Sequence, residues 1–238
     1  MRPPTPACSP SATAPATGSP TASRTPWASP WSAPTTSWAA ATPTSATPAC
    51  TSRAAGHLLG LIESRDAGRS WQPLSLLGEA DFHALQVVHG RVYGYDATGG
   101  RFMVSSDRRH WQVRSELELT SFAVSPADPE LIMAATERGL ARSRDGGRRW
   151  QSIRGPAGLL LDWERPDALW AITDDGQLWH SKDTSRSWRQ AGRINGQPEA
   201  FLAHEGNLYV AVAQLGIVTS GDEGRSWRVL YREAPPAG

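Results

Sequence analysis

The sequence predicts an all-β protein with the β-propeller fold, and three observations lead to this fold class. One polar turn, with the pattern Ser-x-Asp followed by Trp, begins at residues 64, 105, 143, 181 and 220. The steps between these copies are 41, 38, 38 and 39 residues, and a period near 40 residues is typical of propeller blades. Between the turns lie short runs rich in Val, Leu, Tyr and Phe and bounded by Gly, Asp or Pro, which is the pattern of β-strands.

Each period is expected to form a blade of four antiparallel strands, with the polar turn between the third strand and the fourth. The propeller should occupy residues 56–238, in units at about 57–77, 79–117, 119–155, 157–195 and 197–232. The first unit holds only the last two strands of a blade, at 58–62 and 71–77. In the second unit we expect strands at 82–88, 91–96, 101–105 and 111–117, and the later units repeat this order. The sequence therefore predicts about four and a half blades.

Residues 1–55 have a different composition from the rest of the chain. The first 50 residues hold 11 of the 19 prolines, both cysteines (Cys8 and Cys50) and no acidic residue, which is typical of a disordered or O-glycosylated linker. Three tryptophans, Trp27, Trp31 and Trp38, are unusual in such a linker. Shifting the reading frame of this tract by one base gives segments such as QDTMGF and GSGHPD, which look like strands and turns. We therefore interpret the tract as an out-of-frame translation, with a disordered linker as the alternative; on this interpretation its cysteines carry no redox information.

The charge balance of the remaining residues excludes some classes of partner. From residue 51 onward, 22 Lys and Arg face 23 Asp and Glu, so there is no excess of positive charge for a nucleic acid or an anionic membrane. No apolar run is long enough to span a bilayer, and the N-terminus has no apolar segment of the signal-peptide type. We expect neither nucleic-acid binding nor a membrane span.

Each residue type in the repeated turn has a predicted structural role. The Asp should accept backbone N–H groups, the Gly should adopt a positive φ, and the Trp should bury its ring between blades. The fourth copy has Ser185 in place of Gly, and the second copy is one residue shorter and has no Gly. Calcium binding is the alternative, but it requires more carboxylates than one per turn. The residues concerned are Ser64, Asp66, Gly68, Trp71, Ser105, Asp107, Trp111, Ser143, Asp145, Gly147, Trp150, Ser181, Asp183, Trp188, Ser220, Asp222, Gly224 and Trp227.

This pattern resembles the Asp-box, or BNR repeat, of sialidases, sortilin-type receptors, some endoglucanases and photosystem assembly propellers. The segments Leu61-Ile62-Glu63-Ser64 and 78–85 (GEADFHAL) are similar to those of small secreted actinobacterial propellers that are labelled glycosyl hydrolase or exo-α-sialidase. The resemblance implies a monomeric protein of six blades, located outside the cell or in the cell envelope and directed at carbohydrate. It implies no cofactor.

The sequence contains no complete catalytic set. The arginine triad and the Tyr–Glu pair of sialidases cannot be placed, and the common hydrolase and metalloprotease motifs are absent. In propellers the first strand of each blade is the innermost, so the polar residues where it begins should face the central channel. Glu79, Asp81 and His83 are the catalytic or metal-binding candidates on this basis, with solvated channel residues as the alternative. Glu118, Asp162 and Glu199 hold related places in later units, whereas His89, His110, His180 and His204 are expected at the surface.

Two functions therefore stay open at the level of sequence, and so does the question of whether the protein is an enzyme. One is a carbohydrate-directed, sialidase-like or glycosyl-hydrolase-like propeller with its site at the mouth of the channel. The other is a non-catalytic propeller of the cell envelope that binds a protein or an assembly intermediate. An open propeller exposes strand edges and blade faces, so we also expect poor solubility.

Overall fold

A computed structural model describes residues 37–39 and 58–232, and it confirms an all-β fold of four-stranded antiparallel blades in a propeller arrangement. We number the blades 1 to 5 in chain order. The described residues form four complete blades and one sheet of three strands. They include no helix that is long and apolar enough to cross a membrane.

The strands follow the sequence period closely. Blade 1 contains β1 (Ser37–Ala39), β2 (Leu61–Ser64) and β3 (Gln72–Ser75), and blade 2 contains β4 (Phe82–Val88), β5 (Arg91–Asp96), β6 (Arg101–Ser105) and β7 (Gln112–Glu116). Blade 3 contains β8 (Ser121–Val124), β9 (Ile132–Thr136), β10 (Gly139–Ser143) and β11 (Gln151–Ser152). Blade 4 contains β12 (Gly158–Arg165), β13 (Ala168–Thr173), β14 (Gln177–Ser181) and β15 (Arg189–Arg193). Blade 5 contains β16 (Pro198–His204), β17 (Asn207–Val212), β18 (Gly216–Ser220) and β19 (Arg228–Arg232).

Blade 1 has one strand more than the sequence pattern indicated. The added strand, β1, comes from the Pro/Ser/Thr/Ala tract and pairs antiparallel with β2, with Trp38 opposite Glu63. The expectation of two strands was therefore short by one, because a three-residue strand in a polar tract has no alternating apolar pattern to reveal it. The other predictions about residues 1–55 concern residues outside the described part of the chain.

Successive blades pack face to face through apolar side chains. Phe102 of blade 2 meets Phe122 of blade 3 edge-on, with ring centroids 5.1 Å apart. Ile172 and Leu178 of blade 4 belong to one apolar cluster with Val210 of blade 5, and all three are fully buried. Each interface is thus a core of its own, and the blades are stabilised by their neighbours rather than as isolated sheets.

The first strands of the complete blades lie against one another around the axis and are joined by hydrogen bonds. Gln86 Oε1 of β4 accepts the N–H of Val124 on β8 at 2.8 Å. Ser121 Oγ of β8 accepts the N–H of Leu161 on β12 at 3.1 Å. Asp162 Oδ2 of β12 accepts the N–H of Ala203 on β16 at 2.6 Å. These bonds fix the spacing of the strands that surround the axis.

Candidate functional site at the axial opening

The repeated turns form closed hydrogen-bonded loops at one end of the propeller. In blade 3, Ser143 Oγ donates to Asp145 Oδ1 and accepts the N–H of Gly147, both at 2.9 Å. Asp145 Oδ1 also accepts the N–H of Arg149 at 2.9 Å. The fifth position of the full-length turns, and Arg108 at the fourth position of the short turn, all have positive φ, between 68° and 87°. We propose a structural role for these turns, because the first Ser and the Asp of each turn form hydrogen bonds within the same turn.

The aspartates of the turns stay ionised because they accept several hydrogen bonds. The hydroxyl and N–H of Ser187 lower the pKa of Asp183 to about 2, and those of Ser226 lower the pKa of Asp222 to about 2. His110 lowers the pKa of Asp107 in the same way. Among the residues that the structure describes, no group of three or more His, Cys, Asp or Glu side chains has the geometry to hold a metal ion.

The tryptophans of the turns pack against the preceding blade, with one exception. Trp150 stacks edge-on against Phe102 at 5.5 Å, and its Nε1–H donates to Ser115 Oγ at 2.8 Å. Trp111 makes the matching bond to Ser75 Oγ at 2.9 Å. Trp71 departs from the expectation of burial, since 41% of its surface is exposed. In the described part of the chain no blade precedes blade 1, so the ring of Trp71 has nothing to pack against on that side.

The opposite end of the propeller is where the first strand of each blade begins, and we call it the axial opening. Three of the four first strands have a β-bulge just after their start, at His83, Leu159 and Glu199. A bulged residue is unpaired in the ladder and its side chain is re-aimed, which is common next to binding sites. The His83 and Glu199 side chains are both exposed. One imidazole and one carboxylate are therefore exposed at the end of the propeller where the axial opening lies.

Asp81 and His83 form a direct pair at this opening. Asp81 Oδ2 lies 3.0 Å from His83 Nε2. The pair is partly open to solvent, with 47% of the His83 side chain and 21% of the Asp81 side chain exposed. A carboxylate that accepts Nε2–H favours the tautomer in which Nδ1 carries a lone pair. His83 Nδ1 is thus presented as a base or as a hydrogen-bond acceptor.

An ion pair between the fully buried Asp96 and the partly exposed Arg101 holds Asp81 in place. Asp96 Oδ1 accepts the N–H of Asp81 at 2.9 Å, and Asp96 Oδ2 accepts Arg101 Nε–H at 2.8 Å. Burial alone would raise the pKa of Asp96, but these two donors outweigh it and lower the pKa. Arg101 also donates to the carbonyl oxygen of Glu79 at 3.3 Å. The start of β4 is therefore braced by charge-assisted hydrogen bonds.

The remaining candidates from the sequence lie in different surroundings. The side chains of Glu79 and Glu118 are exposed and take no part in the Asp81–His83 pair. Asp162 is not a free channel residue, because it accepts the N–H groups of Ala203 and Trp163 at 2.6 and 2.8 Å. Burial raises the pKa of Asp162 despite these bonds. Its role is to join β12 to β16.

His180 was expected at the surface, and this expectation was wrong. Only 5% of His180 is exposed, and its ring stacks flat on Trp170 with centroids 3.8 Å apart and planes 5° apart. Burial lowers the pKa of His180. The two rings form the floor of a cleft of about 220 Å³ between blades 4 and 5. No local sequence pattern indicates the burial of His180, because it depends on the ring of Trp170 on the adjacent strand.

Comparison with known proteins finds solved structures with similar folds and no matching family. No protein-family model and no curated protein matches the chain. Solved structures with similar folds include YCF48 from Cyanidioschyzon merolae, at 14% identity and a TM-score of 0.48 over 60% of this chain and 54% of that chain. PorZ, a surface component of the type-IX secretion system of Porphyromonas gingivalis, gives 14% identity and 0.47 over 68% and 24%. The GH74 xyloglucanase of Xanthomonas campestris gives 19% and 0.44 over 58% and 28%.

This chain thus spans between 24% and 54% of the length of these three proteins. All three are β-propellers, and so is this chain by its own sheets. At these levels of identity the likeness concerns the fold alone, so the function has to be argued from the residues.

Proposed function

We propose that this protein is a carbohydrate-directed β-propeller whose functional site is the axial opening, with Asp81 and His83 in contact with the ligand. The observation that carries the proposal is the Asp81–His83 pair, which stands on a β-bulge and is braced by Asp96. The carbohydrate class comes from the resemblance of the repeated turns to the Asp-box, which also favours a location outside the cell or in the cell envelope.

The pair has a definite chemical capacity. Asp81 orients the imidazole through its contact with Nε2, so His83 Nδ1 is suited to accept a hydrogen bond or a proton from a sugar hydroxyl or from water. Glu199 holds the same bulge position on the first strand of blade 5 and supplies a carboxylate at the same end of the axis. An imidazole and a carboxylate around one opening suit a polyhydroxylated ligand, whether it is only bound or also hydrolysed.

The test measures glycan binding and hydrolysis of fluorogenic glycosides, a sialoside among them, by wild type, His83→Ala and Asp81→Asn. The matched control is His204→Ala, since His204 is also exposed on a first strand but lies at the opposite end of it. We expect the two axial variants to lose binding or turnover at least ten-fold and the control to keep it. Equal activity in His83→Ala and wild type, with folding verified by circular dichroism, contradicts the proposal.

A non-catalytic interaction propeller is the second candidate function, and a specific surface favours it. The outer face of blade 5 exposes Leu202, Ile217 and Tyr231 by 53%, 36% and 59%. Exposed apolar patches of this kind often mark protein-binding surfaces. A defined partner that binds wild type without glycoside turnover, and no longer binds after Leu202→Glu, would favour this function over the first.

A further inference from the structure

At the end of the propeller that carries the repeated turns, ion pairs join neighbouring blades around a shared carboxylate. Between blades 4 and 5, Glu223 Oε1 lies 3.9 Å from Lys182 Nζ, and Glu223 Oε2 lies 3.0 Å from Arg189 Nη2. Blades 2 and 3 have the same arrangement of one carboxylate and two cations, formed by Glu130, Arg91 and Arg148. In both places the carboxylate compensates the positive charge between the blades.

The matching place between blades 3 and 4 lacks this carboxylate. Arg144 holds the position of Lys182, because each directly follows the first Ser of its repeated turn. Thr184 of blade 4 holds the position of Glu223 of blade 5, because each lies three residues after that Ser. A hydroxyl therefore stands where the neighbouring interface has a negative charge.

Arg142 adds a second positive charge on the face of blade 3 that meets blade 4. It lies two residues after Leu140 on β10, and Leu140 packs in the apolar cluster that these two blades share. Among the described residues its guanidinium has no hydrogen-bond partner; Nε is buried, whereas the two terminal nitrogens are not. Packing thus holds one edge of the guanidinium between the blades and leaves the other edge accessible.

Arg186, in the repeated turn of blade 4, is the third positive charge, and nearby acids do not compensate the three. Burial and the charges of Arg144 and Arg186 lower the pKa of Arg142, and no carboxylate raises it. The carboxylates of Asp145 and Asp183 accept hydrogen bonds from their own turns instead. In the part of the chain that the structure describes, the exposed guanidinium groups of Arg144 and Arg186 form no ion pair.

We propose that Arg142, Arg144 and Arg186, the arginine cluster, bind a doubly charged tetrahedral oxyanion, which is a sulfate or phosphate group. Such a group offers several acceptor oxygens to guanidinium N–H groups and carries one negative charge more than a carboxylate. One carboxylate serves two cations at each of the neighbouring interfaces, so three cations favour the doubly charged group. The cluster lies at the opposite end from the axial opening, and the inference is independent of the function proposed for that site.

The first test measures the thermal midpoint of the full chain while sodium sulfate replaces sodium chloride at constant ionic strength. Binding to the folded state raises the midpoint in a saturable way, whereas the general stabilising effect of sulfate does not saturate and is common to all variants. We expect a saturable rise for wild type, with half-saturation at about ten-fold higher sulfate for Arg142→Gln. Arg138→Gln is the matched control and should respond as wild type does, because Arg138 is exposed at the other end of β10. A rise that does not saturate, or that is equal in wild type and Arg142→Gln, overturns the proposal.

A second test measures binding directly by equilibrium dialysis with radiolabelled sulfate. Arg186→Gln changes an exposed side chain and should fold normally, so its expected loss of about ten-fold in affinity does not depend on the folding of Arg142→Gln. Competition by phenyl phosphate would indicate a group carried on a larger ligand, and competition by inorganic phosphate alone would indicate the free ion. If acetate competes as well as inorganic phosphate does, the cluster takes a single carboxylate and the tetrahedral class is wrong.

Discussion

The serine of the repeated turn contributes as much to the closed loop as the aspartate that follows it. Ser143 is fully buried, and its hydroxyl accepts the N–H of Gly147, four residues on. Ser64, Ser181 and Ser220 accept the N–H of the fifth turn position at 2.7 to 2.9 Å in the same way. Each turn therefore depends on one hydroxyl that is both donor and acceptor.

Replacing Ser143 by Ala tests this dependence. The change leaves the buried N–H of Gly147 without its acceptor, so the free energy of unfolding should fall by about 1–3 kcal/mol. Urea denaturation followed by circular dichroism measures the effect. Ser106→Ala is the control, because Ser106 lies exposed in a repeated turn. Equal stability of Ser143→Ala and Ser106→Ala would show that the hydroxyl is dispensable.

His180 predicts a pH dependence of stability. Burial lowers its pKa in the folded state, so between that value and the ordinary value near 6.5 the unfolded chain binds a proton that the folded chain does not. Stability should consequently fall as the pH drops below about 6.5. His180→Phe should flatten this part of the profile measured by urea denaturation from pH 7.5 to 5, and His204→Phe should not. Parallel profiles for wild type and His180→Phe would refute the explanation.

At the scale of strands and turns, hydrogen bonds between the first strands of neighbouring blades fix the spacing of these strands around the axis. Gln86, Ser121 and Asp162 each reach from one first strand to an N–H of the next. Their side chains differ in chemistry and share only the ability to accept a hydrogen bond. Any side chain of suitable length that accepts a hydrogen bond can make such a contact, so no sequence motif predicts these contacts.

Asp162→Ala tests the contribution of these bonds. The variant removes the acceptor of two N–H groups, that of Ala203 between β12 and β16 and that of Trp163, which should cost at least about 1–3 kcal/mol of unfolding free energy. Asp162→Asn keeps one acceptor oxygen for the N–H of Ala203 but loses the acceptor of Trp163, and it does not ionise in a site that raises the carboxyl pKa, so it should lose less stability than Asp162→Ala. Glu199→Ala, an exposed residue on a neighbouring first strand, should change stability by under about 0.5 kcal/mol. If Asp162→Ala unfolds at the same urea concentration as wild type, the bond has no such role.

The strands themselves were predictable from the sequence, and the site only in part. Alternating apolar runs and a fixed turn identify β4 to β6 at their observed bounds, because the period of two and the period near 40 residues are both local signals. The proximity of Asp81 and His83 follows from their spacing on one strand. The burial of His180 does not, since it results from a stacking partner on the adjacent strand.

At the scale of the whole molecule, the two ends of the series of blades are unlike the interfaces between them. Tyr209 of blade 5 holds the position of Trp170 in blade 4, because each pairs with the residue before the Ser of its repeated turn. Ile217 holds the position of Leu178, because each lies three residues before that Ser. In blade 4 this face is covered by blade 5. In blade 5, no described strand covers it, and Leu202 at its inner edge is 53% exposed.

We expect this face to cause self-association and poor solubility of the chain. Apolar surface that matches a blade interface is suited to meet another blade, and a contact between unlike faces does not close into a symmetric dimer. Leu202→Lys combined with Ile217→Lys should shift the protein from aggregates toward monomer in size-exclusion chromatography with light scattering. Val113→Lys is the control, because Val113 is 49% exposed on the fourth strand of blade 2 and belongs to no such face. A wild-type sample that is monodisperse and unfolds cooperatively would contradict the prediction, as would equal improvement by the control.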